Sequence, residues 1–266
     1  MSANVPTGDV WMVVLHYIRI NYEEKPGSRR VPLAISRLAW KFANKVIDSE
    51  LLTLAEDVKF INKVTEAIPK FEKLIGFKKI YTASHHDFSA AKYHKYVDGK
   101  NDTITIIKSN WGRKFGGYAS AALKKGTDDG IILDPDSFVF AIGDVHDIGI
   151  QIFHKAKEYE NGQKAKKCIQ YHAGLGPCFG IGAIEVTDKC NMAADLDNNP
   201  EATSCCSGYT FDTDFKLPKG KVRIILCGEA PEGGYEGGWG KDNRWDCSNW
   251  NWYLVEEYEV FQSTFS

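Results

Sequence analysis

Cysteine and histidine have the widest chemical reach in this chain, and the cysteines gather late. All seven cysteines lie between Cys168 and Cys247, with His172 among them. Cys168, His172, Cys178, Cys190, Cys205 and Cys206 are soft metal donors by type. No Cys-x-x-Cys knuckle joins them and their spacings match no common zinc module, so the better reading is buried free thiols. Cys178 with His172 has the residue types of a nucleophile and its base. Nothing in the sequence marks an orienting partner or an anion hole for that pair. Cys178 and the adjacent Cys205-Cys206 remain candidate redox thiols, a role that needs exposure and a lowered thiol pKa.

Other stretches carry weaker chemistry. Gly174 to Gly182 resembles a phosphate loop, but its third glycine is one residue late and a strand follows, so it reads as glycine turns joining strands. Gly240-Lys241 is followed by Asp242, which is neither the Ser nor the Thr of an ATP-binding loop. Asp195-Leu196-Asp197-Asn198-Asn199 offers oxygen ligands without the glycine and distal glutamate of a calcium loop. Lys155, Lys157, Lys164, Lys166 and Lys167 form a basic loop with Glu158 and Glu160, which reads as solvated surface or as a dock for an acidic partner. His94, among Ala90, Tyr93 and Val97, reads as a satisfied core or boundary histidine. Between Cys227 and Trp252, six glycines are interleaved with Tyr235, Trp239, Trp245, Trp250 and Trp252. Aromatic rings on such a loop suit a partner-binding platform for a peptide or a sugar, or they close one end of the fold. No residue is assigned a catalytic, cofactor-binding or metal-binding role.

The elements that must position these residues are mostly strands. The 266 residues are 43% hydrophobic and 26% charged, enough for one large domain with an appendage, and the net charge of −2 gives no global pull toward nucleic acid or an anionic membrane. Val10 to Leu15, weakly extended to Ile20, is far short of a membrane span and follows Asp9 rather than a basic start, so no membrane insertion and a cytoplasmic location are expected. Val10 to Tyr22 fits a strand or a helix equally. From Leu33 the apolar stripe is helical, so residues 1–47 read as an N-terminal helical extension packing on the domain that follows, in preference to the remnant of another module. Leu51, Leu54, Val58, Ile61, Val64 and Ile68 continue a helical stripe, with Asp48-Ser49 offering a cap and Pro69 a stop.

From Ile80 to Ser120 the spacing predicts a strand, a helix and a hairpin. The helix runs from about Phe88 to Val97, capped by Asp87 or Ser84, buries Ala90, Tyr93, His94 and Val97, and stops at Asp98-Gly99. Thr103 to Ile107 and Lys114 to Ser120 are the hairpin strands, turned at Ser109 to Gly112; Gly116-Gly117 calls for a bulge or a close backbone approach. Short strands follow at Ser137–Ile142, Gly149–Phe153, Cys168–His172, Ala183–Thr187 and Val222–Cys227. A last one, Trp250 to Gln262, brings a glutamate inward whichever face is buried. Short strands without intervening helices predict an α+β, mainly β fold: a two-sheet antiparallel β-sandwich with flanking helices.

Five short motifs in this central stretch resemble the TLDc domain family: Asp87-Phe88-Ser89, Tyr93-His94, Asp98-Gly99-Lys100, Thr103 to Lys108, and Phe115-Gly116-Gly117-Tyr118. Asp48-Ser49, Gly176 to Gly182 and the terminal Glu256-Glu257-Tyr258-Glu259-Val260-Phe261 are similar to further stretches of that family. One departure is Ala183, where the family usually carries Asp. The resemblance covers about residues 48–262 and makes 48–266 a TLDc-like domain. It implies a β-sandwich with helices at its ends, no agreed catalytic residue and no cofactor. It also implies roles in oxidative-stress resistance and in binding and regulating the cytosolic sector of the vacuolar proton ATPase. The other function classes open to the residues are a thiol-dependent antioxidant enzyme or hydrolase, and a carbohydrate-binding β-sandwich using the tryptophan loop.

Overall fold

The computed structural model describes residue 47 and residues 49–110, 112–123, 130–143, 149–154, 169–180, 184–192, 204–207 and 250–266. The N-terminal extension up to Val46, the lysine loop, the Asp195 to Asn199 loop, the Val222 to Cys227 strand and the aromatic loop as far as Asn249 lie outside these residues. The chain divides into a smaller unit, residues 1–78 with 264–266, and a larger one, residues 79–263.

In the smaller unit, helix α1 spans Leu54–Ala67. Its cap is Thr53, not Asp48-Ser49. Thr53 accepts from the Glu56 amide while the Glu56 carboxylate accepts from the Thr53 amide, so two otherwise orphaned donors are satisfied at once. Val58, Ile61 and Val64 are buried as the stripe predicts, and Phe60 joins them. Pro69 does end the helix, because its missing amide suits only a first turn: a 3-10 turn, Pro69–Lys73, begins there. Phe71 then meets Phe265 edge to face at 5.3 Å.

In the larger unit, mainly β as expected, the described strands form two antiparallel sheets. The first orders β1 (Leu74–Thr82), β12 (Val255–Phe265), β2 (Thr103–Ser109), β3 (Lys114–Ala119), β5 (Phe138–Ile142) and β6 (Gln151–His154). The second orders β11 (Trp250–Tyr253), β10 (Ser204–Ser207), β9 (Ile184–Thr187), β8 (Leu175–Phe179), β7 (Ile169–Gln170) and β4 (Ile131–Ile132). Ile107, Phe115, Val139, Tyr258 and Val260 of the first sheet share one core with Phe179, Ile184 and Val186 of the second. Alternate positions on the first sheet, Ile104, Ile106, Tyr118, Phe138, Phe140 and Phe261, are buried as well, so its strands read as near-continuous apolar runs.

Several elements differ from the sequence reading. Helix α2 spans Ala90–Val97 and its cap is Ser89, because Asp87 and Phe88 both take left-handed backbone angles that no helix contains. The Gly174 to Gly182 stretch is not turn alone but holds β8, whose pairing with β9 shifts register between Leu175 and Cys178, where Gly176 and Pro177 stand. The final strand is two strands in different sheets. Asn110 makes the break: its side-chain oxygen accepts from the Leu254 amide (3.1 Å) and its own amide donates to the Leu254 carbonyl (2.9 Å), so the chain crosses between sheets at that residue. The inward glutamate is Glu259, fully buried and paired with Lys79 at 2.5 Å.

Three tyrosines close the core beneath α2. Tyr81 stacks on Tyr258 at 5.2 Å and meets Tyr93 edge to face at 5.7 Å, and the Tyr258 hydroxyl donates to that of Tyr81 at 3.2 Å. Burial pushes the Tyr81 phenol from 10.0 up to about 12, and those of Tyr93 and Tyr258 well above their ordinary value. A phenol raised in the folded state stabilises the fold in full below the unfolded value, and that contribution is lost as pH climbs through the folded one. Alkaline titration should therefore show these phenolates appearing together with loss of the circular dichroism signal, between pH 10.0 and about 12 for Tyr81. Phenolate from all three in a still-folded protein would contradict this.

Candidate partner-binding surface

Of the candidate residues named from sequence, Cys178, Cys205, Cys206 and Trp250 fall on neighbouring strands of the second sheet, with Cys178 and Cys205 in register with Glu185 from either side. Tyr235, Trp239 and Trp245 lie outside the described residues, and Trp250 opens β11 opposite Ser207. Cys205 and Cys206 lie on β10, Cys205 in register with Glu185 on one side and Trp252 on the other, Cys206 with Asn251. Cys178 sits on β8, 6% exposed, its thiol near the Gly176 carbonyl at 3.6 Å. Burial first, and then the Glu185 carboxylate, push the Cys178 thiol far up, the opposite of what a reactive thiolate needs. Native protein should accordingly leave Cys178 unalkylated by iodoacetamide at neutral pH and expose it only in denaturant, as peptide mass spectrometry would read. Prompt modification of the folded chain would refute this.

The strain in the fold collects elsewhere. After β1, Ala83 is anchored to the Tyr258 carbonyl (2.9 Å), Ser84–His86 make one 3-10 turn, and Asp87 and Phe88 follow at φ 57° and 52°. Phe88 donates back to the Ala83 carbonyl and accepts from the amide of Lys189, itself at φ 49°. Three of the four non-glycine residues with positive φ among those described thus meet in one loop cluster, at a cost of roughly 1–3 kcal/mol each. Such strain persists only where neighbours over-determine it, and here the buried Phe88 ring and the Asp188 carboxylate, which accepts from the Ala90 amide at 2.7 Å, do so. Asp tolerates this conformation; Phe does not advertise it, so no sequence signal marked the second position.

Charge and aromatic surface surround the loop. Lys92 is hydrogen-bonded to Asp87 and holds that carboxyl below its usual value, with His86 and Lys189 adding to the effect. His86 donates from Nδ1 to the Thr82 carbonyl (2.6 Å), stacks on Tyr81 at 4.7 Å and meets the ring of Tyr96 at 4.5 Å. Tyr96 and Met192 are 40% and 52% exposed, two of the four exposed large hydrophobics among the described residues.

Behind this surface His94 locks α2 to the β7–β8 turn. Its Nδ1 faces Asp98 Oδ1 at 2.8 Å and its Nε2 faces the carbonyls of His172 and Leu175, each at 2.9 Å. It is the satisfied boundary histidine its neighbours in sequence suggested. Among the described residues no three His, Cys, Asp or Glu side chains gather as a metal site would require, and no helix is long and apolar enough to cross a membrane.

The residues doing this local work are the motif residues: Asp87-Phe88-Ser89 form the strained turn and cap, Tyr93-His94 the buried face of α2, Asp98-Gly99 its end, and Gly116-Gly117 the close approach in β3. The model of the TLDc domain family matches residues 50–227, well over half of the chain. The protein belongs to the TLDc domain family. No curated protein matches it. The TLDc match takes in both hairpins of the first sheet, the strained loop and β8 to β10. It ends before β12, although that strand supplies Tyr258 and Glu259 to the interior.

Proposed function

We propose that this TLDc protein acts by binding other proteins in the cytoplasm, not by turning over a substrate. Its target is the cytosolic sector of the vacuolar proton ATPase, whose assembly it regulates, and through it the protein contributes to oxidative-stress resistance. The observation that carries this reading is membership of the TLDc family, whose implied roles these are. The sealed, protonated Cys178 supports it by weighing against the rival thiol-dependent enzyme at that residue. The aromatic loop, with Tyr235, Trp239, Trp245 and Trp250, is a second contact region.

The test is co-precipitation of purified protein, with and without residues 227–252, with solubilised proton ATPase, read by immunoblot of its cytosolic subunits. Retention of those subunits supports the reading, and weaker retention after loop deletion assigns the loop a part. No retention, together with cysteine-dependent peroxide turnover or tryptophan fluorescence shifts on adding glycans, would replace it with the enzyme or the carbohydrate-binding class.

A further inference from the structure

Helix α1 buries more of its surface than one neighbour covers. Asp57, Val58, Phe60, Ile61 and Val64 are all buried. At about 100° per residue they span about 160° of the helix, wider than the stripe of about 100° that one packed layer takes. The chain reaches α1 beside this arc. Ile47 is 2% exposed, and its amide donates to the Asp57 carboxylate at 3.0 Å. Ser49 then turns the chain: its hydroxyl oxygen accepts from the Leu51 amide (3.1 Å) and its carbonyl from the Leu52 amide (3.4 Å), before Thr53 caps the helix. Only residues 48–53 separate Ile47 from α1, a connection of the length that joins antiparallel helix neighbours.

We propose that residues 33–46 dock on α1 as an antiparallel helix, covering the part of the arc around Asp57, Ile61 and Val64 and withholding it from other proteins. Three features select this occupant. Ile35, Leu38, Ala39, Phe42 and Val46 form a single apolar stripe, and Pro32 suits the first turn that opens such a helix. Leu33 to Val46 has as many residues as α1, so two helices joined through Ile47 to Thr53 run the same length. Charge is complementary as well. Between Ser28 and Ile47 the chain carries Arg29, Arg30, Arg37, Lys41 and Lys45 and no acidic residue, whereas α1 holds Glu56, Asp57 and Glu66 against Lys59 and Lys63, with Glu50 just before it. The acidic excess lies in the first turn of α1, which the antiparallel direction brings beside Lys41 and Lys45. The TLDc match begins at residue 50, so nothing the family implies gives this segment a role, and the inference stands apart from the proton-ATPase reading.

Hydrogen exchange and urea denaturation of the full chain test this. Phe42→Ser should raise the exchange rates of the Ile61 and Val64 amides about tenfold, while Arg37→Ser, on the far side of the stripe, leaves them unchanged. In a cycle of Phe42→Ala and Ile61→Ala, which the antiparallel direction places near each other, the combined loss should be smaller than the sum of the two, because the second change removes a contact already gone. Lys45→Glu should lower the urea midpoint more at low salt than at high. Unchanged exchange of α1 in Phe42→Ser, or additive losses in the cycle, would overturn the proposal. So would protection of α1 that rises with protein concentration, which would make a second copy of the chain the occupant. If Phe42→Ser loosens the whole protein, the cycle decides, since alanine shortens both side chains without adding a polar group.

Discussion

Replacing Gly116 with alanine should cost the fold about 3 kcal/mol or more, a large share of the roughly 5–15 kcal/mol that holds a domain together. A Cβ built there collides with the Thr105 carbonyl oxygen across the hairpin and comes within 2.9 Å of the Phe140 ring. A backbone carbonyl cannot change rotamer, and β3 is pinned on both sides by regular pairing with β2 and β5. Relief therefore requires strands to move apart. Gly117→Ala meets only a side chain, the Phe179 ring at 2.5 Å, so it should be the milder of the two even though that ring is buried. Urea denaturation should show a lower midpoint for Gly116→Ala than for Gly117→Ala, at an unchanged slope. Equal stability of Gly116→Ala and wild type would mean the two strands are not this close.

The second large effect belongs to Asp134, a fully buried carboxylate between β4 and β5. One of its oxygens accepts from the amides of Ser120 (2.6 Å) and Ala121 (2.9 Å), the other from the Ser120 hydroxyl (2.5 Å). It is the acceptor that ends β3. Asp134→Ala takes the acceptor from two backbone donors and a hydroxyl at the part-buried Ser120 and Ala121, at about 1–3 kcal/mol for each group left unsatisfied and less where water reaches it, so a loss of about 2 kcal/mol or more is expected. Asp134→Asn can keep its oxygen on the two amides and turn its amide toward the Ser120 hydroxyl, so only the charge assistance is lost. About 1 kcal/mol is expected for it. Hydrogen exchange at Ser120 and Ala121 should rise sharply in the alanine variant and little in the asparagine one. Similar losses in both would show that the negative charge, and not the acceptor geometry, is what Asp134 supplies.

Local signals marked much of this protein in advance. The period of Ala90, Tyr93, His94 and Val97 placed a buried helix face because helix geometry is set by neighbours three and four residues away. The β-branched run at Thr103 and the Gly116-Gly117 pair announced a hairpin with a close approach. The alternation of the last strand brings a glutamate inward whichever face is buried, and Glu259 is that residue, paired with Lys79. Boundaries were less legible. Thr53 outcompeted Asp48-Ser49 as a cap because Glu56 stands three residues on to close the box. Ser89 outcompeted Asp87 because tertiary contacts force the two residues before it into left-handed angles.

The sequence by itself determined the class of fold, the family and the dominance of short strands, since all of these rest on composition, periodicity and short motifs. Only the tertiary structure decided where strain and charge converge. The Asp87–Phe88 loop and Lys189 are about a hundred positions apart and meet through one amide-to-carbonyl bond. Likewise Trp250 to Phe261 alternates like a single strand, and the switch between sheets is made by Asn110, which no local pattern near Leu254 encodes. Cys178 reads from sequence as a buried free thiol or a candidate redox thiol, and its enclosure on β8 decides for the first, because burial depends on which strands become neighbours, and that is settled only when the sheets close.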